Sequence, residues 1–235
     1  MIVDFFIATH GRVSVVARGV RRARSRLAPL LQPFQPLLVS WVARGELGTL
    51  TAVESDGVPH TLNRRVLISG FYINELLVRL LHRDDPHIAL FQAYLTVLQQ
   101  LAAIEHAVDP VPQEEQVALR VFETKLLNEL GYALILDHDV KSGAPLQEDA
   151  LYHYHLDRGP MAIEGGYHTS QGGEMVKLHG SSLLDLARGA FRDHSSLRES
   201  KRLMRAALGL HLGSKPLHSR GLLHGLQPAT PEKNR

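Results

Sequence analysis

The hydrophobic pattern changes its period once along this chain, and that change limits the fold more than any other feature. Up to about residue 53 the apolar residues come in short runs rich in β-branched and aromatic side chains: IVDFFI, VSVVAR, LLVSWVA and LGTLTAV. Such runs are typical of β-strands. From about residue 70 the apolar residues recur every three or four positions, as on one helix face. The sequence therefore predicts an α+β fold in which a small β-barrel or sheet precedes a mainly α-helical region.

Capping residues predict where two of the helices begin or end. Asp85 followed by Pro86 favours a helix start, because the aspartate accepts hydrogen bonds from free amides and proline needs no amide donor there. A further helix is predicted over 114–130, and Gly131 after it suits the left-handed conformation of a C-cap.

The region after that helix is less regular. Residues 132–177 contain the run LYHYHLD among glycine-rich turns, which predicts a small irregular β insert. Apolar residues then recur again every three or four positions, as in a helix. Ser196 and Glu199 have the spacing of a capping box, in which each side chain accepts a hydrogen bond from the backbone amide of the other residue. This spacing predicts that the last long helix begins at Ser196.

The chain contains no cysteine, which excludes disulfides, thiolate zinc sites and iron–sulfur clusters. We expect no metal and no other cofactor. No run of about eighteen consecutive apolar residues is present, and the N-terminus lacks the basic start of a signal peptide. These observations predict a cytoplasmic protein without a membrane span.

Arginine is concentrated near the N-terminus, in a stretch that contains no acidic residue: Arg12, Arg18, Arg21, Arg22, Arg24 and Arg26. The formal net charge is only +2, so the local charge is more informative than the total. Guanidinium groups that follow a strand can bind DNA phosphates without competition from a neighbouring carboxylate. The alternative is a solvated loop whose charge serves only solubility.

A second group of cations lies on one face of the last predicted helix, at i, i+3, i+4 and i+7 spacing: Arg198, Lys201, Arg202 and Arg205. Apolar residues occupy the opposite face, so one side packs and the other is positive. This stripe is a candidate for DNA or partner binding, and a solvated face is the alternative.

Several stretches, taken in order, resemble the RecO family of recombination mediators: GRVSVVARGVRRARSRLAPLLQPFQPLLV, GFYINELLVRLLHRDDPHIALFQAYLTVLQQL, ALRVFETKLLNELGY and LRESKRLMRAALGLHLGSKPLHSRGLL. Together they cover nearly the whole chain. The resemblance implies an oligonucleotide/oligosaccharide-binding (OB) barrel over 1–62 and a helical domain over 63–222, followed by a flexible tail over 223–235.

The same resemblance implies a function without catalysis. Proteins of this kind bind single- and double-stranded DNA, single-strand-binding protein and RecR, promote strand annealing and load RecA in the RecF pathway. Arg120 in ALRVFE matches the family position whose arginine captures the acidic C-terminal tail of single-strand-binding protein; the alternative is an ordinary surface charge. We expect a monomer associated with the nucleoid.

The sequence departs from the family pattern in two places. Many members carry a four-cysteine zinc site where this chain reads LDHDVKSGAP, so it resembles the zinc-less branch. Members also have about one more strand before the point that corresponds to Met1. Either the barrel is incomplete or upstream codons encode that strand, and the second is our expectation.

Two other classes of function remain open at this point. A metal-dependent nuclease or hydrolase would use the His and Asp residues around 137–155, where His153 and His155 point to the same side of a predicted strand. A structural adaptor would use the arginines only for solubility. The sequence contains no GxxxxGK[ST], GxSxG or HExxH motif, so we predict that the protein is not an enzyme.

Overall fold

The structure is a computed structural model, and it describes residues 1–43, 47–107, 112–163 and 175–225. In chain order the elements are β1 (Ile2–Ile7), β2 (Gly11–Val16), β3 (Leu37–Val42), β4 (Gly48–Ser55), α1 (Arg64–Leu80), α2 (Ile88–His106), α3 (Pro112–Glu129), β5 (Leu151–His155), β6 (Gly159–Ala162), β7 (Met175–His179), α4 (Gly180–Arg188), α5 (His194–Leu212) and α6 (His218–Gly225). This order of a sheet, helices and a second small sheet confirms the α+β class.

The chain forms two compact units. The first joins Met1–Val108 with Lys215–Arg235, and the second is Asp109–Ser214. The first unit therefore contains α1, α2 and α6 besides the N-terminal sheet. The predicted domains separate the strand-rich residues 1–62 from the mainly helical residues 63–222. This domain division stays a prediction. Residues 226–235 of the predicted tail lie outside the described residues.

The sheet of the first unit has four strands in the order β1-β2-β4-β3. β1 pairs with β2 and β3 with β4 in antiparallel fashion, whereas β2 and β4 are parallel, with Val15 opposite Gly48. This is the order of four of the five strands of an OB barrel. Gly48 is required at the parallel pair, because a Cβ there would lie 2.9 Å from the Trp41 ring.

The two edges of this sheet are β1 and β3, and both line an apolar cleft of about 680 Å³ that α1 and α2 close from the other side. Phe6 on β1 packs edge-on against Phe91 and Tyr94 of α2, with ring centroids 5.4 and 5.8 Å apart. Within the described residues the sheet contains four strands, and an additional strand encoded upstream stays a prediction.

The predicted helix start at Asp85 is wrong, because α2 begins at Ile88 with His87 as its N-cap. The cause is a contact with β2. The backbone N–H of Asp84 donates to the carbonyl of Arg12 at 3.0 Å. The Asp85 backbone also lies so close to Gly11 that a Cβ on residue 11 would clash with it. Tertiary hydrogen bonding thus holds residues 83–85 beside the strand and delays the helix.

Over Ile88–Glu105, α2 is long and apolar enough to cross a membrane by length and composition. Its residues Leu90, Leu98 and Leu101 are buried in the first unit. Core helices of globular proteins have this same composition.

The second unit packs α3, α4 and α5 beside a three-stranded antiparallel sheet in the order β6-β5-β7. This sheet confirms the predicted β insert. Tyr152, Tyr154 and Leu178 are buried on one sheet face. As predicted, α3 ends just before Gly131, which has a φ of 80°.

The predicted capping box of the last long helix is wrong. α5 begins at His194, and the carboxylate of the N-cap Asp193 accepts a hydrogen bond from the Ser196 backbone N–H at 2.7 Å. The Ser196 hydroxyl instead donates to Asp185 of α4 at 2.7 Å, and the Glu199 carboxylate accepts from the Ser182 hydroxyl at 2.7 Å. Both side chains of the expected box therefore tie α5 to α4.

Candidate nucleic-acid and partner-binding surfaces

The basic segment after β2 is a series of turns. The chain leaves the strand at the buried Ala17, and the Gly19 carbonyl accepts a hydrogen bond from the Arg22 N–H at 3.2 Å. Ser25 then starts the next turn, since its hydroxyl oxygen accepts from the backbone N–H of Leu27 at 3.2 Å and of Ala28 at 3.3 Å. The buried side chain of Val20 anchors the segment to the core.

The cations of this segment face solvent. Five side chains are exposed: Arg18, Arg21, Arg22, Arg24 and Arg26. Among the described residues, none of these five guanidinium groups has a carboxylate partner. We call them the arginine segment. Their free charges can bind a polyanion without first breaking an internal ion pair.

Arg12 is placed differently from the arginine segment. It lies on β2, is half-buried, and donates from its terminal nitrogen to the carbonyl of Val78 on α1. Its Nε is buried and has no hydrogen-bond partner within the described part of the chain. Arg12 thus joins the sheet to α1, and a role for it in binding DNA stays a prediction.

Arg120 lies inside the second unit, with only 5% of the residue exposed. Its guanidinium donates to both carboxylate oxygens of Glu123 one turn later on α3, and Nε lies 2.7 Å from Oε2. Glu123 is completely buried. Glu123 thus engages two of the three guanidinium nitrogens, and the capture of an acidic tail by Arg120 stays a prediction.

The predicted cations of α5 are all exposed: Arg198, Lys201, Arg202 and Arg205. The opposite helix face is buried, as its pattern predicted. Arg202 also connects α5 to β7, because its guanidinium donates to the Lys177 carbonyl at 2.8 Å. We call these four residues the α5 stripe.

Sequence reasoning missed a clamp between α1 and the C-terminal segment. The Glu75 carboxylate accepts hydrogen bonds from the His218 N–H at 2.8 Å, the Ser219 N–H at 2.9 Å and the Ser219 hydroxyl at 2.7 Å. Arg79 donates to the Lys215 carbonyl at 2.7 Å. The match of YINELL and KPLHSR to a family pattern was the only signal for these residues.

The clamp also sets the ionisation of Glu75. Burial alone would raise its pKa, but the hydrogen bonds from Ser219 and His218 outweigh that effect and hold the pKa below its usual value. The charged carboxylate is therefore the form that caps the start of α6.

The residues of the alternative metal site do not come together. Asp139 is buried, and its carboxylate accepts from the backbone N–H groups of Lys141 and Ser142, each at 2.8 Å, and of Ala162 at 2.5 Å. Asp137 instead contacts His138. Among the residues that the structure describes, no three His, Asp or Glu side chains are grouped so that they could hold a metal ion.

Two family models match this chain. Residues 1–56 match the model described as Recombination protein O N terminal, and residues 63–221 match Recombination protein O C terminal. The two matched ranges together span nearly all of the described residues.

Curated relatives extend this likeness over almost the full length. Proteins named DNA repair protein RecO are 45% identical over 226 residues in Nitrosococcus oceani, covering 96% of this chain and 87% of the relative. The corresponding values are 44% identity, 97% and 89% in Nitrosospira multiformis, and 42%, 95% and 90% in Coxiella burnetii.

Proposed function

The chain belongs to the RecO family of DNA repair proteins, and we propose that it acts as a recombination mediator that binds DNA through the arginine segment. The observation that carries this proposal is the group of five exposed arginines without carboxylate partners among the described residues. These side chains lie on turns that follow β2 of an OB-type sheet, and loops beside such strands are a usual place for nucleic acid to bind.

Binding through this segment is electrostatic and independent of sequence. Each arginine that contacts a phosphate releases condensed counterions, so affinity falls as salt concentration rises. Guanidinium groups on turns reach the backbone of single- and double-stranded DNA alike. A protein that neutralises the phosphates of two strands lowers their repulsion, which favours annealing.

The partners in this function are single-strand-binding protein and RecR, with RecA loaded onto the exposed strand and RecF acting in the same pathway. For the acidic tail of single-strand-binding protein we keep Arg120 as the proposed contact. Arg120 donates to Glu123 through Nε and Nη2, so its remaining nitrogen Nη1 is the proposed donor to the tail carboxylate, and the ion pair within α3 stays intact. We place this activity in the cytoplasm at the nucleoid, without a catalysed covalent step.

An annealing assay tests the proposal. Complementary strands coated with single-strand-binding protein are mixed with the wild-type chain, with R21A/R22A/R24A, or with Lys125→Ala, which removes an exposed cation from α3 of the second unit. We expect the wild type and Lys125→Ala to accelerate annealing alike and the triple variant to lose most of the acceleration. Annealing by the triple variant at the wild-type rate would show that the arginine segment is not the DNA site.

A further inference from the structure

Within the described residues, the small sheet of the second unit has one buried face and one less buried face. The side chains of Tyr152 and Tyr154 are buried on one face, so the alternate residues of β5, His153 and His155, belong to the other. We call this second face the open face. In the described parts of β5, β6 and β7 there is no aspartate or glutamate.

Lys177 on β7 lies directly across from His153 on β5. The Lys177 carbonyl accepts from Arg202, and the N–H of His179 donates to Glu199 at 2.8 Å, so the backbone groups of these β7 residues point away from β5. Lys177 and His153 are thus a non-hydrogen-bonded pair, in which side chains of opposite residues approach most closely. A lysine and an imidazole ring therefore lie side by side on the open face.

The α5 stripe continues this positive surface past the edge of the sheet. Arg202 and Glu199 of α5 bind the free edge of β7, which places the helix along that edge. Arg205 follows Arg202 by three residues and so lies on the same helix face. Glu199, the acidic residue of α5, is occupied by His179 and Ser182. Both of its carboxylate oxygens are therefore engaged in hydrogen bonds within the second unit.

We propose that the open face and the α5 stripe form a second nucleic-acid surface, which holds a single DNA strand separately from the arginine segment. Charge complementarity identifies the occupant as a polyanion. The half-buried ring of His155 offers a face on which an unpaired base stacks, which favours single-stranded DNA over an acidic peptide. The inference rests on the proposed function in taking DNA as the polyanion.

A two-strand capture assay tests this surface. A biotinylated single strand on beads is loaded with the full chain, and capture of a labelled strand of non-complementary sequence is measured. First-strand affinity is measured separately by fluorescence anisotropy. The variant is Lys177→Ala with Arg205→Ala, both exposed cations, and the control is Lys125→Ala in the same unit.

The variant is expected to keep first-strand affinity within about twofold and to capture about fivefold less second strand, while the control behaves like the wild type. Unchanged capture by the variant would overturn the second surface alone. An equal loss of first-strand affinity would overturn it too, because one shared surface would then explain both readouts. Displacement of the second strand by polyglutamate more readily than by an oligonucleotide of equal charge would assign the surface to an acidic protein segment. Failure of the wild type to bind the first strand would overturn both this inference and the proposed function.

Discussion

Arg120 and Glu123 form a bidentate ion pair within one turn of α3, and both residues are buried. Removing one member of such a pair leaves the other charge unpaired in a low-dielectric site. We expect Glu123→Gln to lower the free energy of unfolding by about 3 kcal/mol, whereas R120M/E123L changes it much less. Urea unfolding of the three proteins measures this. Equal losses in the single and double variants would contradict a stabilising role for charge pairing here.

The same pair determines how tail binding should be tested. Arg120→Glu would place two carboxylates together in the interior, so loss of binding would be confounded with misfolding. The exchange R120E/E123R keeps one charge of each sign. We expect this variant to stay folded by circular dichroism and to bind a peptide of the acidic tail at least about tenfold more weakly, with DNA binding unchanged. Tail binding at wild-type strength would show that Arg120 does not contact the acidic tail.

The hydrogen bonds of Glu75 predict that the C-terminal segment stabilises the first unit. Glu75→Gln replaces one acceptor oxygen by a donor group that faces the Ser219 and His218 N–H groups. We expect a loss of about 1–3 kcal/mol in the free energy of unfolding and faster proteolysis within residues 215–225. Glu54→Gln, at an exposed position on β4, is the matched control. An equal effect of both substitutions would show that the clamp contributes nothing.

The buried carboxylate of Asp139 predicts a pH dependence of stability. Burial would raise its pKa, but hydrogen bonds from Ser142, Ala162 and Lys141 outweigh burial and lower it below the ordinary value of 3.8. A carboxyl group whose pKa is lower when folded stabilises the fold above its unfolded pKa and loses that contribution as pH falls through the folded pKa.

Asp139→Asn should therefore destabilise the second unit at pH 7, and the difference from the wild type should shrink once the pH falls below 3.8. Thermal melts across this range measure the difference, with Asp149→Asn, an exposed site in the same unit, as the control. A difference that stays constant down to pH 2 would contradict the assigned role of the charged Asp139.

The strands and the exposed arginines could be predicted from the sequence because local composition determines them. Short runs of β-branched residues predicted the strands of the first sheet. The absence of neighbouring acidic residues predicted that Arg21 and Arg22 have no carboxylate partner nearby in the sequence. The start of α2 could not be predicted, because it depends on a hydrogen bond from Asp84 to β2, far away in the sequence. Local capping rules do not include such contacts.

Two features of the candidate sites could not be predicted for the same reason. Arg120 and Glu123 have the spacing of an ordinary surface pair, and only the packing of the second unit shows that they are buried. The clamp joins Glu75 to Ser219, which are 144 residues apart in the sequence. A pattern within one helix contains no information about such a partner.

The salt dependence of DNA binding tests the central claim most directly, because the slope of log K against log salt counts the phosphate contacts that are lost. Binding of a single-stranded oligonucleotide is measured from about 50 to 200 mM salt for the wild type, R21A/R22A/R24A and the Lys125→Ala control. We predict that the triple variant loses roughly 0.7 of slope for each arginine that contacts a phosphate, while the control keeps the wild-type slope. A triple variant with weaker binding but an unchanged slope, or with unchanged binding, would contradict the assignment of the arginine segment as the DNA site.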